Sequence, residues 1–515
     1  MNNISAHEGS DISFNNEKEL KKLELDKQKN AKEHYRLAGR PPLKTVLILS
    51  IGPILSQLTG AIYGIVDTIY VSHAIGQDGM TAISAYTAFD NIARAFGFFV
   101  SVAGSTKISA LFAAGQSDDA GQVLCDLLRV CLFFGILVPA ILMPTIKEAV
   151  RWFGATEAIV SLGWDYMFPL LLCSVFTCIY TGIGGFLQGE GRSGLFGIVT
   201  IVSSIFNMGV FKPLFLYGFK MGIRGSSIAT CVSEAIPGIS VTLLFFFGKF
   251  AVKPKFNQLL QKFSKNTFPA LRVGLSQLIS NISVSIPGII CRKLIGLSVS
   301  NSTDFNDSLA GFNVLFKWAQ VTNSVVIAIT MGFLPAASYA YQAKNAKRWF
   351  LLAIHSFWIA LVWGSISSIL TWGIPKQVAL LFANHPGYLK WASQMLKYGN
   401  GLGFFIFSRF NFPAMLQSMS LGLTSTVLSL TSQLVSLIGF SLILYYTDQH
   451  NPIRLCWCYS LSYAFGFVFG SIILIFPMIK LWRESKLLSV SEETPKENLS
   501  GEGDGISETQ NVSEL

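Results

Sequence analysis

Charge is scarce in this sequence. Asp, Glu, Lys and Arg make up 13% of its 515 residues, roughly half the ~25% of an ordinary soluble domain. What charge exists gathers in the first 44 residues, the last 35 and a few short connectors. The long apolar stretches between them could not form the charged surfaces that soluble domains need. That excludes a soluble enzyme, a nucleic-acid binder and a disordered chain. Metal and redox motifs are lacking too. The eight cysteines lie in or beside apolar runs, and none has the C-x-x-C spacing of a zinc or redox site. They read as small buried hydrophobes, and no metal or other cofactor is expected. No Walker phosphate loop occurs, so the chain is not expected to hydrolyse ATP or to act as an enzyme. The first 43 residues are polar and lysine-rich, without the early apolar core of a cleavable signal peptide.

Apolar length is what the sequence has in abundance: 51% of residues are hydrophobic. A bilayer core of ~30 Å needs ~20 apolar residues per helix. Twelve segments qualify, at about 44–72, 80–112, 121–145, 157–186, 194–217, 224–248, 268–296, 309–342, 348–373, 393–419, 423–447 and 453–481. The fold expected is an all-α polytopic membrane protein. The net charge of +10 sits in alternate connectors, the pattern by which Lys and Arg stay cytoplasmic. Basic residues run from Lys18 to Lys44, and five lysines fill 249–267. The expected organisation is a basic cytoplasmic tail (1–43), a six-helix lobe (44–248), a cytoplasmic loop (249–267), a second six-helix lobe (268–481) and a disordered cytoplasmic tail (482–515). Two glycosylation acceptor patterns, at Asn301 and Asn306, fall in an outer connector of this topology.

The two lobes carry traces of a duplication. Gly104-Ser-Thr-Lys-Ile-Ser-Ala-Leu-Phe-Ala-Ala-Gly115 ends the second span and Gly332-Phe-Leu-Pro-Ala-Ala-Ser-Tyr-Ala-Tyr-Gln-Ala343 the eighth, at an offset of 228. Phe186-Leu187-Gln188 and Met415-Leu416-Gln417 recur at 229. Six spans separate the copies, so both halves have the same orientation. Two parallel six-helix halves around a central cavity form an alternating-access transporter's architecture.

Several segments carry a family resemblance. They are Pro53 with Tyr63-Gly-Ile-Val-Asp67-Thr-Ile-Tyr-Val-Ser-His73 and Gly76, and Gly104 to Ala120. Then come Phe186-Leu-Gln-Gly-Glu190-Gly191, Asn207, Pro213 and Gly222-Ile-Arg-Gly-Ser-Ser-Ile-Ala-Thr230. Gly332-Phe-Leu-Pro335 to Asn345 and Arg348 complete the set. In this order and spacing the chain resembles the multidrug and toxic compound extrusion (MATE) family over nearly all of 40–480. The resemblance implies an antiporter that expels organic, often cationic, compounds as protons or sodium ions enter. An efflux device is expected in the plasma membrane, with a vesicular or vacuolar membrane as the alternative. A lipid or lipid-linked sugar flippase of related fold is the alternative. The arginine-rich turn of major facilitators between spans 2 and 3 is absent, the connector reading Ala-Ala-Gly-Gln-Ser-Asp-Asp-Ala-Gly.

Ionised groups inside a membrane cost at least ~2.5–3.5 kcal/mol and need a reason. Asp67 shares a helical face with Tyr63, and a carboxyl in a semi-dry cavity can exchange a proton near neutral pH. Glu234 stands one turn from Thr230, on the same face. The family's matching threonine lines the N-terminal cavity, which would aim Glu234 there too, with Asn207 offering an amide. One departure stands out: many family members have an aspartate before Pro213, where this chain has Lys212. Lys212 would pair with Asp67, pass coupling to Glu234, or snorkel to the interface. Asp90 with Arg94, and Asp126 with Arg129, read as intrahelical pairs. Lys107, Lys317, His355 and Arg409 read as snorkelling or interfacial. Spans 7 to 10 hold no Asp or Glu. They offer Gln277, Asn281, Asn313, Gln320, Asn323, Gln417 and the aromatics Phe404, Phe405 and Phe407, able to bind flat organic cations.

Overall fold

Lipid offers no hydrogen bonds, so a chain this apolar must satisfy its backbone within helices. The computed structural model describes residues 35–152, 156–299, 305–382 and 386–493, and all regular structure among the described residues is helical. The N lobe comprises α1 (Pro42–Ile75), α2 (Gln77–Ala113), α3 (Ser117–Trp152), α4 (Glu157–Leu172), α5 (Ser174–Gly189), α6 (Ser193–Phe206) and α7 (Ile223–Phe246). The C lobe comprises α8 (Thr267–Ser298), α9 (Phe305–Gln342), α10 (Ala346–Gly373), α11 (Pro375–Leu380), α12 (Pro386–Gly399), α13 (Ile406–Ser418), α14 (Gly422–Ser429), α15 (Ser436–Thr447), α16 (Pro452–Leu455) and α17 (Trp457–Glu493). Among the described residues, ten unbroken spans are long and apolar enough to cross a membrane. One more is broken, α4 and α5 bending by 59° at Cys173; α12 and α13, parted by residues 400–405, lie where the tenth of the twelve expected spans falls. The chain is an integral, multi-pass membrane protein. The last helix runs to Glu493, past the expected end of its span. The Asn301 acceptor pattern and the side chain of Asn306 lie outside the described residues, as do 1–34 and 494–515.

The duplication is written in the backbone. Left-handed turns close α2 at Gly115 (φ 72°) and α9 at Lys344 (φ 54°), and again α5 at Gly191 (φ 70°) and α13 at Ser420 (φ 61°). Each turn carries the same helix-closing bond. Gln116 N donates to Leu111 O and Asn345 N to Ala340 O; Arg192 N donates to Leu187 O and Leu421 N to Leu416 O, all at 2.8–2.9 Å. Every one of these correspondences is an offset of 229. Gly104 and Gly332, at 228, are therefore not equivalents. Their work differs: a Cβ on Gly104 would meet the Phe186 ring within its own lobe at 2.6 Å, one on Gly332 would meet Ser50 of the other lobe.

Packing follows the same pseudo-symmetry. Within the lobes α1 packs on α6 as α8 does on α14, and α2 on α5 as α9 does on α12 and α13. Across the lobes α1 meets α9 and α8 meets α2, with α2 and α9 crossing between them. The lobes join at the end of the molecule where α1 begins and α9 finishes. There a Cβ on Gly332 would lie 2.5 Å from Ser50 N, and one on Gly274 would lie 2.4 Å from Phe99 O. The C-lobe core takes in Leu37, Val46, Leu49 and Val102 from the other lobe. The far-end core of the N lobe, built on Val71, Tyr86, Val150 and Val160, includes no C-lobe residue.

Candidate functional site

After α6 the helix widens into π turns over Asn207–Phe211 and Leu214–Gly218. Pro213 between them has no N–H to give, and widened turns are a common way to re-aim side chains at functional positions. The result is that Lys212 points inward. Its side chain is 0% exposed, so it does not snorkel. Its ammonium pairs with Asp67 Oδ1 and stands 4.3 Å from the centre of the Tyr63 ring. Ser226 Oγ donates to the same Asp67 oxygen at 2.6 Å, and Tyr166 OH reaches Oδ2 at 3.4 Å. Tyr63 OH and Thr230 Oγ1 are 2.5 Å apart. Asn207 is buried one helix away, donating through Nδ2 to Ser233 Oγ at 2.7 Å, while its Oδ1 has no partner.

A second branch begins one turn along α7. Glu234 accepts from Arg94 Nη1 at 2.6 Å and from Thr177 Oγ1 at 2.7 Å. Arg94 also bonds Asp90 Oδ2 through Nε at 2.9 Å. Asp90 and Arg94 thus form the expected intrahelical pair, but Arg94 additionally bridges α2 to α7. Tyr63 couples the branches, since its ring carries Lys212 and its hydroxyl meets Thr230, one turn from both Ser226 and Glu234. Three carboxylates, Asp67, Asp90 and Glu234, face two cations, Lys212 and Arg94. The set carries one surplus negative charge when all are ionised. Arg94 as a bridge, together with Ser226, Tyr166 and Thr177, carries no signal in the sequence that marks it for this site. Asp126 exceeds its expected role as well. Besides Arg129 it binds Ser264 N at 2.7 Å and Thr267 Oγ1 at 2.5 Å, which ties the inter-lobe connector to α3.

The C-lobe amides divide. Gln277 and Gln417 line a chamber with ≈10 Å³ of room, alongside Ser280, Thr330, Phe410 and Val102, enough for about one water. Gln417 Nε2 donates to Ser276 Oγ at 3.0 Å, and Asn281 Nδ2 and Asn323 Oδ1 have no partner. Asn313 and Gln320 on α9 are half-buried and do not line that chamber. Phe405 and Phe407 pack on Phe467, so they serve the core. Lys317 is exposed, Lys107 half-buried and His355 accepts from Trp358 Nε1. Arg409 differs from its expected interfacial place: it is 4% exposed. Every residue of α13 is buried, so that helix has no lipid-facing side along which an arginine could snorkel.

Relatives agree with this architecture. A multidrug export protein MepA of Staphylococcus haemolyticus is 20% identical over 398 residues, covering 75% of this chain and 84% of its own. A crystal structure of MATE in complex with MaL6 superposes with a TM-score of 0.78 at 19% identity, over 88% of this chain and 99% of its own. An outward-facing conformation of a multidrug resistance MATE family transporter does so at 0.78 and 20% identity, over 87% and 98%. The family model MatE matches twice, once in each lobe, at residues 53–211 and 279–442, and with more than half of its length matched the chain belongs to that family.

Proposed function

We propose that the protein is a secondary-active antiporter that exports organic, chiefly cationic, solutes in exchange for protons by alternating access. The observation that carries this reading is the surplus carboxylate of the N-lobe site, where Asp67, Asp90 and Glu234 outnumber Lys212 and Arg94 by one. One proton, or one organic cation, neutralises the set, so the two compete for the same charge. Protons suit the geometry better than sodium, because an ammonium already occupies the position beside Asp67 that a metal ion would need. Asp67 and Glu234 are the coupling groups, and Lys212 stands in for a second carboxylate by switching partner. Tyr63, Asn207 and Thr230 line the N-lobe side of the solute path. Gln277, Asn281, Asn313, Gln320 and Gln417 line the C-lobe side. The membrane is the plasma membrane, with both termini cytoplasmic. In that orientation the lobes meet on the cytoplasmic side and the described conformation faces outward. Export of drugs by the MepA relatives supports the direction of transport.

The test is transport by the full chain in proteoliposomes of neutral lipid. An imposed proton gradient is expected to drive rhodamine 123 against its own gradient, with about one proton per dye. Asp67→Asn and Glu234→Gln should each abolish driven transport while dye still equilibrates. Driven transport by the doubly neutralised protein would overturn the assignment.

A further inference from the structure

The C lobe holds a site of opposite polarity. At the offset of 229 that relates the lobes, Thr230 corresponds to Tyr459 and Glu234 to Tyr463. Tyr180, which faces Glu234 in the N lobe, corresponds to Arg409. In the C lobe the guanidinium of Arg409 faces the phenols of Tyr459 and Tyr463. An acid facing a tyrosine in one half has become a tyrosine facing a cation in the other. No carboxylate balances that cation: spans 7 to 10 contain none, and no ion pair to Arg409 exists among the described residues. Arg409 Nε and Tyr459 OH are both buried without hydrogen-bond partners. A guanidinium keeps its charge in a protein, and a buried, uncompensated charge is among the most costly features a fold can carry. In a membrane protein such a group marks a functional site by default.

A basic basin lies on the same helices. At the far end of the C lobe a basin of ≈570 Å³ is lined by Lys376, Lys397, Arg454 and Trp457, among other residues, with Asp448 behind the wall 3.9 Å from Arg454. From Trp457 one turn of α17 leads to Ser460, whose hydroxyl bonds the Tyr398 and Gly399 carbonyls, and the next to Tyr463. Cations lining the basin and a cation buried beneath it attract anions to this end of the lobe.

We propose that Arg409, with the hydroxyls of Tyr459 and Tyr463, is a subsite for the oxyanion group of an organic solute: a carboxylate, sulfonate or phosphate. The guanidinium fork supplies paired donors to such a group, and each phenol adds one. Transported solutes then include organic anions and zwitterions, the latter spanning an acidic N lobe and a basic C lobe. This deepens the transport reading and rests on it for the word transported; the subsite itself is a matter of equilibrium binding.

Two xanthene dyes of similar shape and opposite charge test it: fluorescein, anionic at mildly alkaline pH, and rhodamine 123. Binding of each to the full chain in phosphatidylcholine nanodiscs is followed by fluorescence anisotropy, with no gradient present. Saturable fluorescein binding is expected. Arg409→Gln should weaken it by about tenfold or more, the usual consequence of losing one charge-assisted hydrogen bond, and leave rhodamine 123 within about twofold. Arg409→Lys should keep part of the affinity. Tyr459→Phe breaks no existing bond, so it folds even if the arginine variant does not, and should weaken fluorescein alone. Equal loss of both dyes, or none in Tyr459→Phe, would overturn the subsite. So would a change in Arg409→Gln confined to the phosphatidylglycerol that co-purifies, which would make the cation a lipid anchor. Fluorescein binding lost on mutation while no gradient drives any dye would leave the subsite standing and defeat the antiporter reading instead.

Discussion

Lys212 and Asp67 form an ion pair inside the N lobe, their side chains 0% and 6% exposed. Removing one member strands a charge in a site that Ser226 and Tyr166 complete. Breaking a buried pair from one side costs about 3–5 kcal/mol, whereas replacing both members by neutral groups of similar volume is close to neutral. Lys212→Met and Asp67→Asn should each lower the thermal unfolding temperature of the detergent-solubilised protein, and the double variant should recover most of the loss. A double variant as unstable as the sum of the singles would show that the two charges act independently.

Much of this arrangement is legible in the sequence. Spans follow from apolar length, because lipid leaves the backbone no alternative to the helix. Asp67 and Lys212 stood out because charges in apolar runs are rare. What could not be read was which cation meets which acid. Arg94 looks satisfied by Asp90 one turn away, and only the packing of α2 against α7 brings Glu234 within its reach. Arg409 misled for a related reason. A lone arginine in an apolar segment reads as a snorkelling residue, until the break at 400–405 buries the whole of α13. The repeat offset was visible at 229 in one motif and blurred to 228 in the other, because small residues recur for unrelated packing reasons.

Asp126 carries no exposure and holds two groups of the inter-lobe connector, Ser264 N and Thr267 Oγ1, while Arg129 and Gln122 hold it in place. Each hydrogen bond to a charged group is worth about 1.5–3 kcal/mol. Asp126→Asn keeps the shape but loses the charge. Trypsin should then cut the connector at Lys262 and Lys265 about tenfold faster than in the parent, as read by timed digestion in nanodiscs, since local opening governs proteolysis. Unchanged cleavage would mean that the connector is held elsewhere.

Glycine at 332 sets how closely the lobes approach. A Cβ there would lie 2.3 Å from Ser50 Oγ and 2.5 Å from Ser50 N. The second contact is backbone and cannot swing away, so α1 and α9 must separate. Gly332→Val should block closure at this end and abolish gradient-driven dye transport while the protein still inserts and purifies as a monodisperse sample. Gly60 on α1 is the control, with nothing within 4 Å of an added Cβ; alanine there should leave transport within about twofold, because overpacking costs about 1–3 kcal/mol only where space is lacking.

Arg348 at the start of α10 reaches across to the segment before α1. Its Nη1 donates to Arg40 O at 2.9 Å, and its Nη2 to Leu37 O at 2.9 Å and Thr45 Oγ1 at 3.2 Å. Leu37 itself is fully buried in the C-lobe core, while a Cβ on Gly191 of the N lobe would lie 3.0 Å from Arg36 Cβ. The segment over Tyr35–Gly39 therefore straps one lobe to the other on the face where they meet. Three donated bonds from one guanidinium are strong enough to bias a two-state equilibrium, since about 1.4 kcal/mol is a tenfold shift in population. Arg348→Gln should favour opening at this end. A cysteine placed at Ser50, buried at 2%, should then react with a membrane-impermeant maleimide added on the side where α1 begins several-fold faster than in the parent. Its rate should return toward the parental value in Arg348→Lys, which keeps the charge and an N–H donor group but not the fork. Equal labelling in all three proteins would mean that the strap follows the lobes without holding them.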